Sequence, residues 1–249
     1  MAYKLIEGGG VTTPQGFLAG ACYVGVKSRK SEKPDVAIIY SEQPASCAAM
    51  FTTNKFCAAP VILDREILKK GKARAVVINS GNANACCPMS HEYAEEMARL
   101  AARATGRAPA DFVVASTGVI GQTLNIAAIR AGMPEAAAGL TAGPEGSDAA
   151  ARAIMTTDTV KKELALACSI GGRTVTLGAI AKGSGMIHPN MGTMLCFVTT
   201  DCAITGELLA DALHEVVPKT FNRVTVDGAT STNDMCVVLA NGLAENPLI

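Results

Sequence analysis

The stretch that decides the fold is LALACSIGGRTVTLGAIA, which covers residues 164–181. It contains two apolar runs of strand length, residues 164–170 and 174–181, on either side of the dipeptide Gly171-Gly172. Paired glycines favour a two-residue hairpin turn because both positions can take a positive φ angle. The stretch therefore predicts an antiparallel β-hairpin.

Outward from this hairpin, strand patterns alternate with helix patterns, which predicts a mixed α/β architecture. The other predicted strands cover residues 36–40, 75–79, 112–116, 195–199 and 236–240. The predicted helices cover residues 60–70, 91–104, 125–133, 147–155 and 206–220. The second helix has one apolar face, formed by Ala94, Met97, Ala101 and Ala104. This face predicts packing against a sheet. The glycine- and proline-rich residues 131–146 predict a loop or a joint between subdomains.

The composition limits the class of protein. Of the 249 residues, 49% are hydrophobic, which is enough for a packed core. Lys and Arg together number 22, as do Asp and Glu, and no run of like charge predicts a nucleic-acid or membrane partner. No apolar stretch approaches the roughly 20 residues that a membrane span needs. The expected partners are small molecules or further copies of the chain.

Cysteine usage and the N-terminal residues bear on location. The nine cysteines have no C-x-x-C spacing, so buried thiols of a reducing compartment are expected and a metal site is not. The N-terminal residues have the pattern of neither a signal nor a transit peptide. The sequence therefore predicts a cytoplasmic protein.

Four polar stretches that contain glycine follow or interrupt the predicted strands. They cover residues 79–84, 116–121, 182–193 and 227–234. Loops at strand ends are where α/β proteins commonly place their sites. These stretches are the candidate site loops.

The third stretch, KGSGMIHPNMGT, ends in Gly192-Thr193 just before a predicted strand. The Thr193 hydroxyl can attack the Gly192 carbonyl, move the acyl group from nitrogen to oxygen, and let water release a new N-terminus. The freed amino group, with an ordinary pKa near 7.7 to 8.0, can then act as the base for its own hydroxyl. By local pattern alone, the alternative is a threonine that opens an ordinary strand.

Other candidate residues also have two interpretations. Thr117 and Gly118 can form an oxyanion hole or a simple turn. Lys182 can hold a substrate carboxylate or be a solvated surface charge. His188 can be a base, although a hydrogen bond within a turn is the simpler role. Thr156 and Thr157 can place hydroxyls in a site or end a helix.

Six motifs in order resemble the ornithine acetyltransferase family, also called the bifunctional glutamate N-acetyltransferases. They are VTTPQGF at 11–17, VINSGNANA at 77–85, ASTGVIG at 115–121, IMTTDT at 154–159, KGSGMIHPNM at 182–191 and TSTND at 230–234. The match runs from about residue 8 to the end of the chain. Its motifs are highly specific.

The resemblance implies a layered αββα sandwich and a precursor that cleaves itself between Gly192 and Thr193. Residues 1–192 would form one chain, and residues 193–249 would begin the second. Thr193 would be the nucleophile, and Thr117 and Gly118 would form the oxyanion hole. The implied substrate-binding residues are Thr156, Thr157, Lys182 and Thr193.

The implied reaction is a ping-pong acetyl transfer in arginine biosynthesis. N-acetylornithine acetylates Thr193, ornithine leaves, and glutamate takes the acetyl group to give N-acetylglutamate. Some members of the family also accept acetyl-CoA as the donor, and neither a cofactor nor a metal is expected. The implied assembly is a homo-oligomer of the paired chains.

Three departures from the family pattern leave alternatives open. Gly192 stands where alanine is expected, and Ala229 stands where an aspartate is expected. Family members are also longer, and the further part would carry a substrate-binding glutamate and C-terminal Asn and Thr groups. The alternatives are a related self-processing aminopeptidase or amidase, in which water resolves the acyl-enzyme, and an inactive truncated chain.

Overall fold

The computed structural model of the protein describes residues 3–27, 33–186 and 194–249. In these ranges the strands are β1 (Tyr3–Ile6), β2 (Phe17–Cys22), β3 (Val36–Phe51), β4 (Lys72–Asn79), β5 (Phe112–Ser116), β6 (Lys162–Ile170), β7 (Arg173–Lys182), β8 (Leu195–Thr200) and β9 (Met235–Ala240). The α-helices are α1 (Ala59–Ile67), α2 (Ser90–Thr105), α3 (Ile126–Ala138), α4 (Pro144–Ile154) and α5 (Gly206–Val216). None of these helices has the length and apolar character needed to cross a membrane.

The nine described strands form one hydrogen-bonded sheet that folds over on itself. The strand order is β1-β6-β7-β8-β9-β3-β4-β5, and β2 pairs with β3. The long strand β3 connects the two halves of the sheet, because residues 36–41 pair with β2 and residues 46–51 pair with β9. Its register with β4 shifts between Tyr40 and Ala45. One continuous strand therefore belongs to both halves of the sheet.

The main core fills the space between the two halves. Val76 and Val113 of β4 and β5 share one buried cluster with Phe197 and Val237 of β8 and β9. On the outer faces, α2 and α3 cover β2, β4 and β5, while α5 covers parts of β3, β8 and β9. These layers confirm the αββα sandwich.

Several sequence predictions are confirmed. The predicted hairpin is β6 and β7, with Gly171 and Gly172 at φ angles of 58° and 80°. The apolar face of α2 packs on the sheet, with Met97 and Ala101 fully buried. Strand β5 has the predicted bounds, and the other predicted elements shift at their ends.

The loop or joint predicted at residues 131–146 is confined to residues 139–143. Helix α3 continues through Pro134 to Ala138, and α4 begins at Pro144. Met133 and Ala136 are buried against the sheet, so tertiary packing outweighs the breaking tendency of proline. Strands β1 and β2 and the second half of β3 were not predicted from the sequence.

Candidate active site

A cavity of about 760 Å³ lies at the ends of β5 and β7. Five residues that the sequence singled out line it, although they come from three separate parts of the chain. These residues are Thr117, Gly118, Thr156, Thr157 and Lys182. The fold therefore brings together every described residue of the predicted site.

Lys182 is the last residue of β7, and only 3% of the residue's surface is exposed to solvent. Its ammonium group donates a hydrogen bond of 3.1 Å to Thr117 Oγ1. Burial lowers the pKa of Lys182, while the carboxylates of Asp158 and Asp234 act in the opposite direction. A solvated surface lysine, the simpler interpretation from the sequence, is therefore excluded.

Thr117 and Gly118 present two hydrogen-bond donors at the cavity. The Thr117 hydroxyl accepts from Lys182, so its own proton is available to another acceptor. Gly118 has a φ angle of 134°, and a Cβ there would lie 2.8 Å from the Asn82 nitrogen. Its N–H donates to none of the residues that the structure describes. This pair has the chemistry of an oxyanion hole.

The loop at residues 79–84 holds this pair in place. The Asn79 side chain accepts from the N–H groups of Gly81 and Asn82 at 3.2 and 3.1 Å. It also donates to Ser116 Oγ at 2.7 Å, and the Asn79 carbonyl accepts from the Thr117 N–H at 2.9 Å. The polar loop thus fixes the backbone on which the two donors lie.

Asp158 joins the Thr156-Thr157 turn to the end of β7. Its fully buried carboxylate accepts from the Gly183 N–H at 2.8 Å and from Lys162 Nζ at 2.8 Å. Burial acts to raise the pKa of Asp158, but the ammonium group and two backbone N–H groups outweigh it, so the pKa is lowered. Thr157 Oγ1 also lies 2.7 Å from Ser184 Oγ. Asp158 belongs to the motif at residues 154–159, but the sequence pattern indicates no role for it.

Asp234 is a second acidic residue for which the sequence pattern indicates no role. It precedes β9, is buried, and accepts a hydrogen bond of 2.7 Å from the Met194 N–H. Burial raises the pKa of Asp234 to about 8, although the Met194 N–H, Ser231 and Lys182 act to lower it. A buried carboxyl group therefore lies at the start of β8.

Lys33 is a second ammonium group at the cavity that no motif indicated. It donates a hydrogen bond to the Met155 carbonyl. Burial lowers the pKa of Lys33, and Asp158 and Asp35 act to raise it. Its contribution depends on the approach of distant segments, which a local sequence pattern does not reveal.

Three predicted residues, Gly192, Thr193 and His188, lie outside the described residues. The described residues on either side of them are close to the cavity. Met186 lines it, and Leu195 at the start of β8 is the register partner of Lys182. Ala229, which stands where the family pattern has an aspartate, also lines the cavity.

The fold is shared with proteins of the Ntn hydrolase class. A solved l-aminopeptidase d-ala-esterase/amidase from Ochrobactrum anthropi, described as a variant of the Ntn hydrolase fold, matches with a TM-score of 0.57 and 16% identity. The match covers 97% of this chain and 76% of that one. At this identity the likeness concerns the fold alone.

The profile of the ArgJ family matches residues 18–248, and the chain belongs to that family. The arginine biosynthesis bifunctional protein ArgJ of Symbiobacterium thermophilum is 54% identical over 97% of this chain. The chain spans 60% of that relative's length. A solved ornithine acetyltransferase from Mycobacterium tuberculosis, complexed with ornithine, is 33% identical with a TM-score of 0.69. That match covers 78% of this chain and all of the solved chain. The family indicated by the sequence motifs is confirmed.

Proposed function

We propose that this chain forms part of an enzyme that transfers an acetyl group from N-acetylornithine to glutamate through an acetyl-enzyme on Thr193. The observation that carries the proposal is the cavity in which Thr117, Gly118 and Lys182 meet. Two donors for an oxyanion and a buried ammonium group beside them are what acyl transfer from a charged amino-acid derivative requires. Membership of the ArgJ family supports the choice of substrates.

The proposed nucleophile is close in sequence to a residue that pairs with Lys182. Leu195 pairs with Lys182, and Thr193 is two residues before Leu195. A span of two residues cannot exceed roughly 7 Å. This short separation along the chain supports the choice of Thr193 as the nucleophile that works with Lys182.

The proposed chemistry begins with cleavage between Gly192 and Thr193, which frees the Thr193 amino group. This amine takes the proton of its own hydroxyl as the oxygen attacks the acetyl carbonyl of N-acetylornithine. Thr117 and Gly118 stabilise the negative charge that develops on the carbonyl oxygen. The carbon–nitrogen bond then breaks, and the proton leaves with the amine of ornithine. The glutamate amine attacks the resulting ester, releasing N-acetylglutamate and restoring the hydroxyl.

Substrate binding is proposed for four residues that line the cavity with the oxyanion donors. The ammonium groups of Lys182 and Lys33 offer positive charge to a substrate carboxylate. Thr156 and Thr157 offer hydroxyls at the same cavity. The ornithine complex of the Mycobacterium tuberculosis relative supports an amino-acid ligand. Acetyl-CoA is the second proposed donor, and no cofactor takes part.

The proposed cleavage gives two chains that remain one folded unit. Residues 1–192 contain β1 to β7, and residues 193–249 contain β8 and β9. Strand β8 pairs with β7, and β9 pairs with β3, so hydrogen bonds of the sheet join the two chains. The solved Mycobacterium tuberculosis chain, matched over its full length, covers only 78% of this chain, a share close to that of residues 1–192. The proposed assembly is an oligomer of such pairs.

A self-processing aminopeptidase or amidase is the second candidate, because it would use the same nucleophile and oxyanion donors. Likeness of fold does not separate the two, since the Ochrobactrum anthropi enzyme shares the sandwich. The distinction lies in what resolves the acyl-enzyme. Water does so in a hydrolase, whereas an amine does so in the proposed transferase.

Intact mass spectrometry of the full natural protein tests the proposal. We expect one fragment that ends at Gly192 and one that starts at Thr193. With N-acetylornithine alone, the second fragment should gain one acetyl group, and glutamate should remove it faster than water does. Thr193→Ala should abolish both cleavage and acetylation, and Thr193→Ser should slow both.

Each result has an outcome that contradicts the proposal. Cleavage in Thr193→Ala would exclude this threonine as the nucleophile. An acetyl group that water removes as fast as glutamate does would favour the hydrolase. A single uncleaved mass without acetylation would favour the inactive chain.

A further inference from the structure

Asp158 supports the wall of the cavity without lining it. Its side chain has no exposed surface. One carboxylate oxygen, Oδ1, accepts the Gly183 N–H at 2.8 Å, and the other, Oδ2, accepts the Thr156 N–H at 3.3 Å. Gly183 directly follows Lys182, which lines the cavity together with Thr156. A single carboxylate therefore joins two segments of the proposed substrate site.

The same two segments are joined a second time by neutral groups. Thr157 Oγ1 lies 2.7 Å from Ser184 Oγ, and either hydroxyl can be the donor. A neutral side chain in place of Asp158 would leave this contact intact. What an uncharged replacement removes is therefore chiefly the negative charge of Asp158.

That charge matters because Lys182 is buried, and burial favours the neutral amine. Two carboxyl groups, Asp158 and Asp234, act on Lys182 in the opposite direction. Burial raises the pKa of Asp234 to about 8, so this carboxyl is mostly uncharged at neutral pH. Burial also acts to raise the pKa of Asp158, but Lys162 and two backbone N–H groups outweigh it and lower the pKa. Asp158 is therefore the carboxylate that stays ionised.

Two cations oppose this effect. Lys33 and Lys162 both act to lower the pKa of Lys182, and with Asp158 and Asp234 they complete the charged groups that act on it among the described residues. Lys162 Nζ also lies 2.8 Å from Asp158 Oδ1, so the two lysines share the charge of one carboxylate. Loss of Asp158 would leave Lys182 buried beside cations.

We propose that Asp158 is a positioning residue for Lys182: its carboxylate fixes the end of β7 against the Thr156-Thr157 turn and supplies the lasting negative charge that keeps Lys182 an ammonium group. The inference rests on the proposed function and deepens it. Both proposed roles of Lys182, holding a substrate carboxylate and donating to Thr117, need the ammonium form.

Asp158→Asn tests the charge, because asparagine keeps a side-chain oxygen for one backbone N–H. Trace acetylation by acetic anhydride at several pH values, read by mass spectrometry of the peptide that contains Lys182, measures the pKa of Lys182 in the full natural protein, since only the neutral amine reacts. We expect this pKa to fall by about one unit. The Michaelis constant for N-acetylornithine should accordingly begin to rise at a lower pH.

Lys162→Met separates the charge from a purely structural role. It breaks the same ion pair but leaves the carboxylate and removes a cation that acts on Lys182. We therefore expect the pKa of Lys182 to rise in this variant, whereas loss of a structural contact would move it in the same direction in both variants.

Asp148→Asn is the matched control. Asp148 forms ion pairs with Arg152 and Lys161, and none of these three residues lines the cavity. Its replacement also removes an ion-paired carboxylate, but one that is not among the groups acting on Lys182. The pKa of Lys182 should keep its wild-type value.

A folded Asp158→Asn variant with the wild-type pKa of Lys182 would overturn the inference, and so would a Lys162→Met variant in which this pKa does not rise. If Asp158→Asn does not fold, Lys162→Met decides alone by the same criterion. The labelling needs no catalysis. A wild-type protein that transfers no acetyl group would therefore remove the proposed function, while the pKa of Lys182 would still report on Asp158.

Discussion

Lys182 donates a hydrogen bond of 3.1 Å to Thr117 across 65 residues of sequence. The contact joins the end of β7 to the turn after β5. It also gives Lys182 a role that the sequence did not reveal, because a cation that donates to a hydroxyl makes that hydroxyl a better donor to a third atom. We therefore expect Lys182 to act on the proposed chemical step as well as on the proposed substrate binding.

Replacement of Lys182 by methionine should lower turnover by about tenfold to a hundredfold, as expected for the loss of one charge-assisted hydrogen bond. Steady-state kinetics with N-acetylornithine and glutamate measures this. Lys161→Met is a control, because Lys161 forms ion pairs with Asp148 and Glu163. A Lys182 variant with a raised Michaelis constant and unchanged turnover would restrict the lysine to holding a carboxylate.

Removal of the Thr117 hydroxyl in Thr117→Ala should reduce turnover on the order of a hundredfold with folding preserved. Thr117→Ser keeps the hydroxyl and should recover most of the rate. Acetyl-transfer rates and thermal melting of processed protein measure the two effects. Equal rates in the alanine and serine variants would show that the hydroxyl is not an oxyanion donor.

Gly118→Ala should damage both the site and the fold. Its φ angle is 134°, and the added Cβ would meet backbone atoms of Gly81 and Asn82 at 2.8 Å. Gly121→Ala is the matched control, since Gly121 has a φ angle of 76° and open space around it. Gly121→Ala should therefore show the cost of backbone strain alone. Similar losses of activity and stability in both variants would contradict a special role for Gly118.

Asp64 should make stability depend on pH. It is fully buried, accepts the Val114 N–H at 2.8 Å, and burial raises its pKa well above the usual value. The neutral carboxyl is favoured in the folded state, so its contribution is present below the unfolded pKa near 3.9 and is lost as pH rises through the folded pKa.

Asp64→Asn should therefore remove this dependence. Relative to the variant, the free energy of unfolding of the wild type should fall by about 1.4 kcal/mol per pH unit between the two pKa values. Urea denaturation of both proteins at several pH values measures the difference. A difference that does not change with pH would show that Asp64 titrates alike in both states.

The sequence predicted those features that depend on local pattern. The β6–β7 hairpin follows from two apolar runs around Gly171-Gly172, and β5 follows from one apolar run of strand length. Motifs located Thr117, Gly118 and Lys182, which line the cavity. These predictions succeed because periodicity and turn chemistry act over a few residues.

Other features depend on contacts between distant segments and were not predicted. The second half of β3 joins the two halves of the sheet only because β9 pairs with it. Helix α3 passes through Pro134 because its buried residues pack on the sheet. Asp234 and Lys33 form hydrogen bonds with residues about 40 and 120 positions away in the sequence. Such positions carry no local signal that distinguishes them from ordinary polar residues.

The position of β8 inside the sheet determines how a cleaved molecule would refold and how long it would last. Under the proposed cleavage, β8 and β9 belong to one polypeptide and their neighbours β7 and β3 to another. The precursor can refold as a single molecule, whereas the cut protein must first find its other half, so its refolding becomes second order in concentration. At low concentration a cut molecule that unfolds is effectively lost, and the unfolding rate determines its lifetime.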